Sequence, residues 1–231
     1  MPGLQVFEGS ETKTRASAIY LDIRRAILDG SLVPGTKLNV RDLSTRFETG
    51  LSPVRESLNR LAMEGLAIHE DNRGFIVSPV SEPELQDLTQ ARCWMNELGV
   101  RRSIELGDEA WEEAVLLSCH RLSRTPRDPV DGAPGPNVEW ERTHKAFHQT
   151  LVSACGSNWL IETCSQLYDS ADRYRSLARL AGVSRHDPRD EHSEILTAAL
   201  DRDANKAARL LTEHFQRTAK LVQSVIRTSE G

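Results

Sequence analysis

The segment Ser78-Pro79-Val80-Ser81-Glu82-Pro83 divides the 231-residue chain into two stretches with different hydrophobic periods. Upstream, helical spacing gives way to two short apolar runs around a glycine-bearing tip. Downstream, every apolar stripe has the helical period. A change of period across a short proline-bearing joint predicts two domains, one of mixed structure and one built from helices alone. The expected divisions are a polar arm over 1–14, a first domain over 15–78, a linker over 79–84 and a second domain over 85–231.

In the first domain, Ile19, Ile23, Ala26 and Ile27 line one face of a helix that Asp29-Gly30 stops. A short helix over 40–47 follows, with Asn39 as its N-cap and Leu43 and Phe47 turned inward. Ser52-Pro53-Val54-Arg55-Glu56 then reads as a third start, with a capping hydroxyl, proline at the first helical position and an acid in the first turn. Leu66 to His69 and Phe75 to Val77, around Glu70-Asp71-Asn72-Arg73-Gly74, read as a β-hairpin. Three helices and a hairpin in this order predict a winged helix-turn-helix. Its third helix offers its N-terminal residues to the DNA major groove, and its wing tip reaches the backbone or minor groove.

After the joint, helices are expected over 84–106, 108–123, 137–155, 158–181, 188–200 and 204–227. The separators are glycine- and aspartate-bearing turns and, over 125–136, a stretch with four prolines and two glycines. With no alternating pattern, this is an all-α six-helix bundle with short connections, and the fold class is mainly α.

A net charge of −5 argues alone against nucleic acid, yet the deficit is local. Residues 1–80 carry 10 basic and 10 acidic side chains, whereas 81–231 carry 19 and 24. Arg41, Arg46, Arg55, Arg60 and Arg73 fall on the second helix, third helix and wing, so a neutral domain can present a basic face. No apolar run approaches the ~20 residues of a membrane span. The N-terminus lacks a secretory pattern, and the four single cysteines lack CxxC spacing, so reduced thiols and a cytoplasmic location are expected.

Four of the seven histidines fall on apolar helix faces. His144 and His148 are one turn apart, His192 opens the stripe Ile195, Leu196, Ala199, and His214 interrupts Ala207, Leu210, Leu211, Leu221. Burial of four titratable rings is costly unless they share a partner, and a divalent transition metal is the economical one. Zinc comes first, with nickel as the next choice. His69, His120 and His186 read as solvent-facing or structural. No HExxH, P-loop, GxGxxG or GxSxG occurs, so nothing beyond the metal suggests an enzyme.

The stretches Asn39 to Ser44, Ser52 to Leu66 and the wing Asn72-Arg-Gly-Phe75 resemble the DNA-binding domain of GntR-family bacterial transcription regulators. Ala146-Phe-His148 through Ala154-Cys-Gly-Ser-Asn-Trp-Leu160, Glu191-His-Ser-Glu-Ile-Leu196 and Ala207 to Phe215 resemble the FCD effector domain of the FadR subgroup. The resemblance implies that His144, His148, His192 and His214 bind the metal, with His144 standing where an acid or Asn is usual. It also implies that Arg92 meets an effector carboxylate, with Asn96 in place of the usual acid one turn on and Arg173 and Arg175 aimed at the same cavity. In the winged domain it assigns operator contact to Arg41, Arg55 and Gly74. Arg73 on the wing and the Ser52-Pro53 helix start join them, and Leu51 replaces a frequent arginine.

The expected function is that of a ligand-responsive, DNA-binding regulator and repressor. It would act as a homodimer on a palindromic operator and sense a small carboxylate. The similarity of Asp87-Leu-Thr-Gln-Ala-Arg-Cys93 and Cys119-His-Arg-Leu-Ser-Arg124 to one branch of the family implies short dicarboxylates such as glutarate as the effector class. The alternatives are a metal-dependent enzyme or a metal-responsive sensor built on the bundle.

Overall fold

The computed structural model describes residues 15–70, 74–128, 137–180 and 189–229. The first domain contains α1 (Arg15–Leu28), β1 (Lys37–Leu38), α2 (Val40–Arg46), α3 (Leu51–Met63), β2 (Ala67–Glu70) and β3 (Gly74–Val77). Ile19, Ile23 and Ile27 of α1 pack on Leu43, Val54, Leu58 and Leu61, and all are buried. The Asn39 side chain accepts the Arg41 amide at 2.9 Å, as its place before α2 predicts.

Two local expectations are corrected. Helix α3 starts at Leu51 with Gly50 as an N-cap that offers no side chain, so Ser52 lies inside the first turn instead of capping it. Proline 53 is still tolerated there, because the first N–H groups of a helix have no intrahelical acceptor. The wing is also not a bare hairpin. Lys37 and Leu38 pair antiparallel with Ile76 and Phe75, making a three-stranded sheet of order β1-β3-β2. Gly65, at φ +73°, ends α3 in the left-handed region that glycine adopts at no steric cost.

The second domain is a bundle of α4 (Glu82–Leu106), α5 (Glu109–Arg124), α6 (Val138–Leu151), α7 (Asn158–Leu180), α8 (Arg189–Leu200) and α9 (Ala204–Ser229). Helix α4 takes up the last residues of the expected linker, since the Ser81 hydroxyl caps it by accepting the Glu84 amide. Phe147, Leu151, Ile195 and Leu211 form the centre of its core with Val100 and Val115. At the α4–α5 corner, a Cβ on Gly107 would lie 2.5 Å from both the Ser103 carbonyl and the Trp111 ring. All four cysteines are buried in this domain as free thiols. Burial pushes the Cys119 and Cys164 thiols up to about 11.

The domains are joined through α7. Arg173, 1 % exposed, donates to the Glu84 carboxylate at 2.6 Å and to the Gly65 carbonyl at 3.3 Å. The Tyr174 hydroxyl donates to the other Glu84 oxygen at 2.6 Å. Asp169 pairs with Arg24 of α1 and, at 2.7 Å, with Lys145 of α6.

Candidate functional site

Helices α6, α8 and α9 bring His144, His148, His192 and His214 together, with one ligand atom from each lying within 4.8 Å of the others. All four are buried. Burial, reinforced by the neighbouring imidazoles, holds His144 and His148 well below the ordinary value of 6.5, so both stay neutral. A neutral ring is the form that donates a lone pair to a metal.

The outer ring atoms are oriented by the protein. His144 Nδ1 lies 2.7 Å from the Tyr168 hydroxyl, and His214 Nδ1 lies 2.7 Å from Glu191 Oε2. Such partners fix the tautomer and turn the opposite nitrogen toward an ion. The Nε2 atoms of His144 and His148 are 3.1 Å apart. Two nitrogen ligands about 2.1 Å from one ion are separated by roughly 3.0–3.4 Å, so this pair is already at ligating distance. The cluster therefore fits a divalent transition metal.

Beside it opens a pocket lined by Arg92, Arg127, Trp140, Glu141, His144, Arg175, Arg179 and His214. Arg92 is 5 % exposed, and its Nε is buried with no hydrogen-bond partner. Its guanidinium stands 4.1 Å from the Phe215 ring centroid, and burial, with Arg175 nearby, pushes its pKa down to about 9. An unpaired cation on an apolar wall is unfavourable unless an anion meets it.

Arg175 lies 3.1 Å from Asp172 and 4.3 Å from the Tyr168 ring centroid. Tyr168, Asp172 and Glu141 outweigh its burial and keep it charged. Glu141 is pushed up to about 7 by burial and by Asp172, and its Oε2 is buried without a partner. Asn96 lines a smaller crevice with Arg92, His148, Tyr168 and Phe215, and its amide donates to the Arg92 carbonyl at 2.9 Å.

Arg173 does not join these groups. Its guanidinium turns to Glu84 and Gly65 at the domain junction, which corrects the expectation that it faces the cavity. A helix turns 100° per residue, so the face that carries Asp172 and Arg175 cannot also carry Arg173.

Residues that the sequence reading passed over are Tyr168, Glu141, Arg127, Arg179 and Glu191. Four polar residues at helical spacing, Tyr168, Asp172, Arg175 and Arg179, gave a readable signal on α7. Glu191 stands directly before His192 but serves His214, a pairing that only the packing of α8 on α9 creates.

On the winged domain, Arg41, Ser52 and Arg55 are exposed around the α2–α3 turn, with Pro53 half-buried. Gly74 opens β3 at φ +84° and pairs with Glu70. Arg73 and His186 lie outside the described residues. Arg60 stands 3.7 Å from the Tyr20 ring centroid and 3.4 Å from Glu64, so it is held against its own domain. His69 and His120 are exposed.

A winged helix with arginines around its recognition turn, joined to a bundle that encloses a cationic pocket, defines a DNA-binding transcription regulator with an effector domain. Residues 15–77 match the model for bacterial regulatory proteins of the gntR family, and residues 87–217 match the FCD domain. The chain belongs to the GntR family, as a regulator and not an enzyme.

It is 33 % identical over 218 residues to the HTH-type transcriptional regulator BphR of Paraburkholderia xenovorans, covering 93 % of this chain and 87 % of that one. It is 31 % identical over 211 residues to the HTH-type transcriptional repressor GlaR of Escherichia coli, covering 90 % and 95 %. The fold is shared with Escherichia coli McbR/YncC at TM-score 0.74 and 16 % identity, over 90 % of this chain and 97 % of that one. It is shared also with a GntR regulator from Rhodococcus sp. RHA1 at TM-score 0.73 and 22 % identity, over 91 % and 98 %.

Proposed function

We propose that this protein is a FadR-subgroup repressor that releases or engages its operator in response to a small carboxylate bound beside a divalent metal. One observation carries the reading. A buried Arg92, its Nε without a hydrogen-bond partner, lines the same pocket as His144 and His214 of the four-imidazole cluster; the guanidinium calls for an anion, and the neutral rings call for a cation that would in turn take one. His144, His148, His192 and His214 would hold the ion, zinc first and nickel second. When bound, the ion supplies positive charge for a carboxylate oxygen. Arg92 would hold that carboxylate by charge-assisted hydrogen bonds, Tyr168 and Glu191 would orient His144 and His214, and Arg175 would keep the pocket cationic. Short dicarboxylates such as glutarate are the favoured class.

Repression is supported by the likeness to the repressor GlaR. DNA contact is assigned to Arg41, Arg55, Arg73 and Gly74, with Ser52 and Pro53 at the start of α3 facing a phosphate. A homodimer on a palindromic site is supported by Trp94 and Leu98, one turn apart on α4, and by Trp159 on α7. These large apolar side chains are 60 %, 50 % and 83 % exposed, and a partner subunit would cover them.

The test combines elemental analysis with thermal shift against small carboxylates, for wild type and His148→Ala. Near-stoichiometric metal, and an acid-induced shift lost in the variant, are expected. A metal-free chain whose acid response survives the substitution would remove the metal from the reading. Absence of sequence-selective DNA retention at physiological salt would remove the regulator.

A further inference from the structure

Arg179 belongs to two places at once. It lines the pocket with Arg92, Glu141 and His144. Its Nη1 lies 2.8 Å from Glu141 Oε1, and both terminal nitrogens lie 3.4 Å from Asp172 Oδ1. Its Nη2 also donates, at 3.4 Å, to the carbonyl of Leu28. Leu28 is the last residue of α1, the helix whose Ile23 and Ile27 anchor the winged domain's core. The carbonyls of a helix's last turn have no acceptor role inside the helix, so Arg179 satisfies one from the other domain.

We infer that Arg179 is a further effector-binding residue, and that an anion in the pocket competes with the end of α1 for its guanidinium. Three observations carry this. The Nε of Arg179 is buried with no hydrogen-bond partner, as is the Nε of Arg92 in the same pocket. Two unsatisfied cationic N–H groups around one space mark where acceptors of a ligand fit.

The contacts that hold Arg179 to Leu28 and Asp172, at 3.4 Å, are longer than the 2.7–3.2 Å of good N–H···O bonds. The Leu28 carbonyl is an uncharged acceptor at long range, so a carboxylate at about 2.8 Å is the better partner for Nη2, while the 2.8 Å pair of Nη1 with Glu141 stays in place. The polar stripe Tyr168, Asp172, Arg175 and Arg179 also runs along α7 from His144 to Leu28 without a break in contact. Arg24 and Asp169 give α1 a second tie to α7, so loss of the Leu28 contact loosens the end of the helix while the domains stay joined. Effector and DNA affinities are linked through such an element, because a ligand that favours one arrangement of α1 must be favoured by it in return.

The inference rests on the carboxylate reading of the pocket. Its test uses the full chain loaded with zinc, with succinate and glutarate as anionic probes and glutaramide as the uncharged control. Hydrogen exchange is followed at the amides of Asp29, Gly30 and Leu32, which close the end of α1 onto the carbonyls of Arg25, Ile27 and Ala26. In wild type, the acid that raises the melting temperature should also raise exchange at these amides about tenfold, and glutaramide should do neither.

In Arg179→Gln, exchange there should be high before any acid is added, and the acid should bind at least tenfold more weakly. Arg179→Lys keeps the charge on a single ammonium, so it should recover part of the acid affinity without restoring protection of α1. Acid binding in wild type with no change at α1, or an Arg179→Gln variant that binds acid as wild type does, overturns this inference alone. No melting shift with either acid overturns it together with the carboxylate reading.

Discussion

The winged domain is filled by Ile19, Ile23, Ile27, Leu43, Val54, Leu58, Leu61 and Phe75, and among its described residues no charged side chain is buried. The helical domain buries four imidazoles, Arg92, Asp172 and Arg173 beside an equally apolar centre. The first domain meets its partner on its outside, so Arg41 and Arg55 around its recognition turn stand in water and its interior serves stability alone. The second must surround a small ligand, so it keeps polar groups inside and holds them by mutual contact. Buried charged groups add little to stability as pairs, and the confinement of buried charges and imidazoles, among the described residues, to one domain marks where binding takes place.

Substitutions can break this contrast. The largest effect is expected from Leu58→Ala, which opens a cavity in the fully buried winged core and should cost about 2–5 kcal/mol. Chemical denaturation should show the lost stability, retention on operator DNA should fall, and elemental analysis of the undenatured variant should find its metal content kept. Zinc should act on the other domain. At a hundred times its Kd it should add about 2.7 kcal/mol to the helical domain, measured by calorimetry with and without chelator, and His148→Leu should abolish that gain.

Acid sharpens the contrast further. His144 and His148 titrate lower in the fold than their ordinary 6.5, so below that pH the unfolded chain binds protons that the folded one refuses. Glu141, raised in the fold to about 7, works in the opposite direction but supplies one proton against two. Stability of the metal-free chain should therefore fall below pH 6.5, by about 1.4 kcal/mol per pH unit for each net proton, as read from melts across pH 4.5–7.5. The smallest effect belongs to the winged domain's surface. Asn39→Ala should cost about 1 kcal/mol by leaving the Arg41 amide uncapped, with no change in zinc affinity.

The helices and the histidine cluster were legible because both follow from a 3.6-residue period. Residues four apart share a face, and an imidazole on an apolar face has to point inward. What the sequence left open is mostly non-local. Lys37 and Leu38 become a strand only because β3 lies beside them, and two residues carry no period of their own. The cap and first helical residue of α3 read from the sequence, Ser52 and Pro53, lie two residues late, since proline fits any of the first turn's positions and cannot choose among them. Arg173 and Arg175 look alike in the chain, yet one turns to the domain junction and the other to the pocket. Arg179 needed the docking of α1 on α7 before its two contacts could be read together.

The thiols described earlier make the helical domain a built-in clock. Cys93, Cys119, Cys155 and Cys164 are all buried there, and the winged domain has none. An alkylating reagent attacks only thiolate, and Cys119 and Cys164, held near 11, present almost none of it at neutral pH while the bundle is shut. Labelling at Cys119 and Cys164 therefore counts openings of the bundle, and the winged domain can unfold without contributing to the count. Mass spectrometry of the alkylated chain gives, without any engineered probe, the breathing rate of one half of the molecule.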